Sequence, residues 1–452
     1  MQAFINSASN AVVIAGMQKI KTDFLPNSIF LDTANSLGVD AVDAISKHFN
    51  PSNPTSFSFD DAKTYLAAAS FVHCKDGWQY LSNAVDSIFK GDSKTAIHLA
   101  YYAELRAAMS FLASEGIGIL NSVHYCLDTA SNIIRDPKSN FNTHQGKFIG
   151  WGTHRFIWEC LKSFSNSTHK NVNHLLESFW HNGLSFDKWI GHIPHTNSIT
   201  VISEIIKLWI KEWSFDISYF KDDREGRNTA SYGPSKFKDF GTTDCKIAIE
   251  AYSSSLRLLE PDSVNRFSLL DKYLFKLLFL KIYTEITNNG ITISLSDLLD
   301  QTFVNAGKPM DASLQTIILS PHDHPLIAAS KDTVIDTLGN IKPFTIFSRA
   351  LLLSRVATGS VANLLKKAAI TKNELDFFFN YCGVEHGFWK PASPIAAFED
   401  LWTELSDSII DIDTWVSTQP APLDLRTFND GQAENLTIYK QINRVNYWGI
   451  AI

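Results

Sequence analysis

Apolar residues recur at steps of three and four along most of this chain, the spacing that lays one stripe down an α-helix. In "SFDDAKTYLAAASFVHC" the stripe begins just after Ser58 or Asp60, either of which can cap a helix start. The clearest case is "DSKTAIHLAYYAELRAAMSFLASEGIGIL". Here Ile97, Ala100, Tyr101, Glu104, Leu105, Ala108, Phe111 and Leu112 follow one face, and Gly116 supplies the stop. The alanines of that face imply close contact with another helix. The same period predicts helices near 153–165 and 171–181, and a long one over "SITVISEIIKLWIKEWSFDISYFKDD". It continues over "TTDCKIAIEAYSSSLRLLEP", "SVNRFSLLDKYLFKLLFLKIYTEITNN" and the segments of the last third.

The period breaks in three places. Residues 117–127 read as a short strand or an extended arm. Residues 136–200 are irregular and rich in Ser, Asn, His, Gly and aromatics. "NNGITISLSDLLDQTFVNAGKPMD" then loses the long repeat. These breaks predict an all-α chain with an N-terminal helical segment over 1–57, a helical bundle over 58–290 with an insertion at about 136–200, and a C-terminal helical domain over 291–452. The polar, proline-containing tail after Ser417 is expected to wrap over the surface.

Composition narrows the class. At 452 residues the chain exceeds the ~250–300 at which single cores stop growing. Apolar content of 45% against 19% charged residues describes a core-forming protein rather than a disordered one. A net charge of −7 argues against a broad nucleic-acid coat but leaves room for a small basic pocket acting on RNA. The five cysteines are scattered, with no C-x-x-C pair, and read as reduced, buried thiols in a cytoplasmic protein. The N-terminal stretch has no basic region ahead of its apolar run, so no signal peptide is expected. No uncharged apolar run reaches ~18 residues, so no membrane span is expected either.

Candidate chemistry gathers in "DDREGRNTASYGPSKF", which places Arg224, Arg227, Asn228, Ser231 and Tyr232 within nine residues. Arginine presents a fork of donors suited to a phosphate or a carboxylate. On a helix, Arg227 and Tyr232 share a face only approximately, with Gly233-Pro234 turning the chain afterwards. Asp222, Asp223 and Glu225 are adjacent, so a plain ion-pair role for the arginines stands beside the phosphate one.

The Tyr-Tyr helix "AYYAELRAAMSFLASEGIGI", followed later by a helix ending in "RNTASY", resembles the HEPN superfamily of nucleotide-binding helical bundles. Members carry a comparable Tyr-Tyr helix and an R-N-x-x-x-H segment. The resemblance covers roughly residues 60–285 and treats 136–200 as an insertion. It implies a HEPN-like bundle from a bacterial anti-phage defence or toxin–antitoxin system. The expected activity is that of an endoribonuclease without metal or other cofactor. The expected assembly is a homo-oligomer or a complex with an operon-encoded protein. On that resemblance Arg227 would stabilise the phosphorane charge, Asn228 position the phosphate and Tyr232 orient the 2′-hydroxyl. Arg224, Ser231, Glu104 and Arg106 would line the same cleft. Tyr232 stands where the family has histidine, and an unperturbed tyrosine titrates near ~10, too high for a proton acceptor at neutral pH. A second reading therefore stays open: a catalytically inactive adaptor that docks a partner effector.

Other motifs point less far. His192, His195, His322 and His324 form two H-x-H-like loops that nothing links into a metal site. Glu385 and His386 in "GVEHGFW" suit either an acid–base pair or a tight turn. One of Arg349 and Arg355 is expected to be buried with an acid, Asp376 or Glu404. Trp151, Trp158, Trp180 and Trp189 mark the irregular insertion as either a protein-contact surface or core. No P-loop, dinucleotide fingerprint or nucleophile elbow is present.

Overall fold

A computed structural model describes the chain apart from residues 33–39, 53, 56–57, 168–171, 197–201, 214–216, 233–244, 263, 335–341, 396 and 452, and apart from the side chains of 173, 217–219, 221 and 232. Helices dominate it, as the apolar period predicts.

Three long helices form the centre. Phe59–Phe89 starts at Ser58, whose hydroxyl accepts from the Asp61 amide at 3.0 Å, with Asp60 and Asp61 complementing the helix dipole. Ser93–Ser114 starts at Asp92, whose carboxylate accepts from the Thr95 amide at 3.0 Å. It stops at Gly116, which takes φ +90°, a value that favours glycine. Pro343–Lys367 opens with proline in its first turn and is buried along nearly its whole length. It packs against both of the others, and they pack against each other. At Gly77 that last approach is of ordinary van der Waals closeness, since a Cβ there would lie 3.4 Å from the Ala107 amide nitrogen. Asn10–Asp23 crosses Phe59–Phe89 more tightly still: a Cβ on Gly16 would come within 2.3 Å of the Lys63 carbonyl.

The small strands sit between helices. β1 (Ile117–Gly118), β2 (Tyr125–Leu127) and β3 (Ile133–Arg135) make an antiparallel sheet in that order, with Cys126 opposite Ile117 and Ile134. Asn140–Asn142 pairs with Lys147–Ile149, and Trp180–His181 with Leu184–Ser185. The helix expected over 171–181 is replaced by a 3₁₀ turn, Asn173–Ser178, running into that last hairpin. Asn182 and Gly183 both take positive φ, the turn that Asn-Gly favours between two strands.

One apolar cluster runs from Phe4 to Ile450 and crosses the division expected at 290. The tail after Ser417 is not a surface wrap. It forms the helices Leu425–Gly431, Ala433–Tyr439 and Val445–Ile450, which bury Phe428, Tyr439, Tyr447 and Trp448. Trp158 and Trp189 of the insertion are core residues, whereas Trp151 and Trp180 are half-buried. All five cysteines are buried and unbridged. Among the described residues no helix is long and apolar enough to cross a membrane.

Candidate functional site

The arginine-bearing segment is helical, Ile217–Tyr232, and packs on the Tyr-Tyr helix Ser93–Ser114 and on Thr153–Ser165. Phe220 anchors it by stacking on Trp158 at 4.3 Å, with the rings 12° apart. That contact fixes which residues meet the Tyr-Tyr helix.

Arg227 lies over Tyr101, its guanidinium carbon 5.3 Å from the ring centre, and its Nε is buried without a hydrogen-bond partner. Tyr101 is itself buried. Its hydroxyl accepts from Trp158 Nε1 at 3.2 Å and lies 2.9 Å from His154 Nδ1. Burial pushes the Tyr101 phenol up to about 12, so it keeps its proton. Trp158 offers only a donor, so the phenol donates to His154 Nδ1, and the neutral imidazole carries its own proton on Nε2. His154 stacks parallel to Tyr101, and Tyr102 meets it edge-on. His98, one turn before the two tyrosines, leans on Tyr102 at 4.9 Å and sets its Nδ1 3.3 Å from the Ser231 hydroxyl.

Both imidazoles are held below their ordinary range. For His154 burial is the first cause, followed by the charges of Arg227 and Arg224; for His98 it is burial, then Arg227. Neutral histidines therefore face fixed cations at neutral pH.

Behind this surface lies a buried acid pair. Asp223 forms an ion pair with Arg349 at 2.5 Å, both fully enclosed. Arg349 also donates to the carbonyls of Ser330, at 2.8 Å, and Asp332. Glu104 is completely buried beside Asp223, and neither of its oxygens meets a donor from another kind of group. Two carboxyls thus face one guanidinium. Burial first, then the negative Asp223, drives the Glu104 carboxyl well above its usual range. Of the two carboxyls, Glu104 is the one that burial and the neighbouring charge drive toward holding a proton, while Asp223 pairs with Arg349.

The sequence-predicted residues divide accordingly. Arg224, Arg227 and Ser231 gather with Tyr101, whereas Asn228 is exposed on the outer side of the helix. Tyr232 ends the helix, and its side chain, with the Gly233-Pro234 turn, lies outside the described residues. Glu104 does not line a cleft, because it is enclosed beneath the arginine helix. Arg106 points elsewhere, to His73 Nδ1 at 3.1 Å and Asp76 at 3.8 Å on Phe59–Phe89, since five residues turn it about 140° from Tyr101. Both Arg349 and Arg355 are buried, and their acids are Asp223 and Asp271, not Asp376 or Glu404.

Sequence reasoning missed His98 and His154. His98 shares the Tyr-Tyr face at three- and four-residue spacing, a usable signal; His154 is brought in by tertiary packing alone. Of the remaining histidines, His324 caps the helix Pro325–Ser330 and meets Ser254 at 3.0 Å. Glu385 and His386 close a helix at Gly387, where φ is +72°. Among the described residues no His, Cys, Asp and Glu group is arranged to hold a metal ion. No protein-family model, curated protein or solved structure matches the chain.

Proposed function

We propose that the Arg224–Arg227 surface cleaves RNA without a metal ion, and that the chain is an endoribonuclease of the bacterial defence or toxin type. What carries this reading is the meeting of two arginines with two neutral histidines, His98 and His154, around Tyr101. The choice of RNA rests on the resemblance of the Arg-Asn segment to the HEPN motif.

In the reaction a ribose 2′-oxygen attacks the adjacent phosphorus and the 5′-oxygen leaves, giving a 2′,3′-cyclic phosphate. Arg227, with Arg224, carries the negative charge that builds on the phosphorane. His98 takes the 2′-hydroxyl proton, and the imidazolium so formed returns it to the departing 5′-oxygen. His154, its tautomer set by Tyr101, presents Nε2–H to a non-bridging oxygen. His98 in this reading fills the role of the motif histidine that Tyr232 replaces.

Single-stranded RNA incubated with the purified protein in EDTA tests it. The expected products are fragments with cyclic-phosphate ends. Arg227→Ala should slow cleavage by at least ~10²-fold with the circular dichroism spectrum unchanged. His98→Ala should slow it by roughly 10²–10⁴-fold. A wild-type protein inert on RNA, or an Arg227→Ala variant as active as wild type, contradicts the proposal.

A further inference from the structure

Six residues beyond Arg349 on the central helix, about 9 Å along its axis, Arg355 enters a different environment. It is 2% exposed and lies between Phe179 and Phe267, whose ring centres are 4.5 and 4.4 Å from its guanidinium carbon. Nε and Nη2 hold the two oxygens of Asp271 at 2.9 and 2.7 Å, and Nη2 also donates to the Ser178 carbonyl at 2.8 Å. Nη1 is buried and has no partner. Arg355 lines a cavity of about 220 Å³ whose wall also carries Arg266, Lys366, Asn363 and Trp180.

The charges on that wall do not cancel. Asp271 is committed to Arg355, and Glu177 is paired with Lys367 at 2.7 Å. Arg266 donates to the Gly449 carbonyl at 3.3 Å, and among the described residues no carboxylate pairs with it. Burial, then the neighbouring Arg355, brings Arg266 down to about 10, so it stays cationic at neutral pH. Lys366 holds its ammonium 4.4 Å over the Trp180 ring, likewise without a carboxylate. Two cations without counter-charges therefore share a single cavity with the buried Arg355.

We propose that this cavity binds a small phosphate monoester, of sugar-phosphate size, through Arg266 and Lys366 beside the buried guanidinium of Arg355. A dianion matches the two uncompensated cations. Cationic donors from two elements, Arg355 and Lys366 on Pro343–Lys367 and Arg266 just ahead of Ser268–Asn288, also suit the three oxygens of a phosphoryl group better than the two of a carboxylate. The site is independent of the Arg227 surface.

Isothermal titration with inorganic phosphate and with ribose 5-phosphate, against chloride at matched ionic strength, tests the assignment. Saturable binding of the sugar phosphate is expected, weakened tenfold or more in Arg266→Gln and in Lys366→Gln and unchanged in Arg227→Ala. The exposed Lys366 keeps the test valid should Arg266→Gln fold poorly. No saturable binding beyond the chloride control overturns the proposal, as does unaltered binding in Lys366→Gln. Loss of binding in Arg227→Ala would assign the phosphate to the other surface, which also overturns it.

Discussion

Arg349 and Arg355 sit on one helix, each buried and each paired with an aspartate, yet their surroundings are unbalanced in opposite directions. Around Arg349 there is one carboxyl too many, Glu104 beside Asp223. Around Arg355 there is one guanidinium too many, Arg266. A buried excess of acid is relieved by keeping a proton, because protonation removes the charge outright. An excess of arginine has no such escape, since a guanidinium gives up its proton only far above neutral pH. It needs an anion. The first arrangement makes a closed support beneath the Arg227 surface, and the second leaves an open cavity lined by an excess of cations.

Deleting each aspartate has the largest expected effect. Asp271→Ala leaves two guanidiniums without a counter-charge and should cost roughly 3–5 kcal/mol. Asp223→Ala should cost less, because Glu104 can ionise and take over Arg349. Urea denaturation of both variants measures the difference, and equal losses would show that Glu104 does not stand in reserve.

A smaller effect sharpens the acid side. The folded pKa of Glu104 lies above its unfolded value of ~4.3. Between the two, the native state holds more protons than the unfolded chain. Its contribution is therefore fully present below ~4.3 and is lost as pH rises through the folded pKa. Glu104→Gln removes that titration, so its stability should fall less than that of wild type as pH rises above 5. Parallel pH profiles would contradict the shared-proton arrangement.

The smallest change concerns the surface above. Tyr101→Phe removes the hydroxyl joining Trp158 to His154 and should cost about 0.5–1.5 kcal/mol in thermal or urea unfolding. It also frees the His154 tautomer, so the RNA cleavage proposed for this surface should weaken by more than the stability loss explains. Unchanged cleavage would make Tyr101 a packing residue only.

Much of the scaffold was legible because it is written locally. Ser58 and Gly116 mark helix ends through their own backbone and side-chain preferences, and the apolar stripe of the Tyr-Tyr helix names its buried face. The gathering of Arg224, Arg227 and Ser231 followed from their closeness in sequence. What joins distant segments left no such trace. Asp223 and Arg349 are 126 residues apart, and either could have paired with other charges on spacing alone. Arg106 illustrates the opposite error: two residues from Glu104, it turns to another helix because each step rotates a side chain by about 100°. The core tryptophans were ambiguous for a physical reason too, since aromatic richness serves interiors and contact surfaces alike.

Infrared difference spectroscopy of wild type minus Glu104→Gln at pH 7 bears most directly on the opposed charge excess. The band of a protonated carboxyl, present in wild type and missing from the variant, is the expected result. Its absence, with only an ionised-carboxylate band lost on substitution, would mean that Glu104 is charged beside Asp223 and that the two regions do not differ as described.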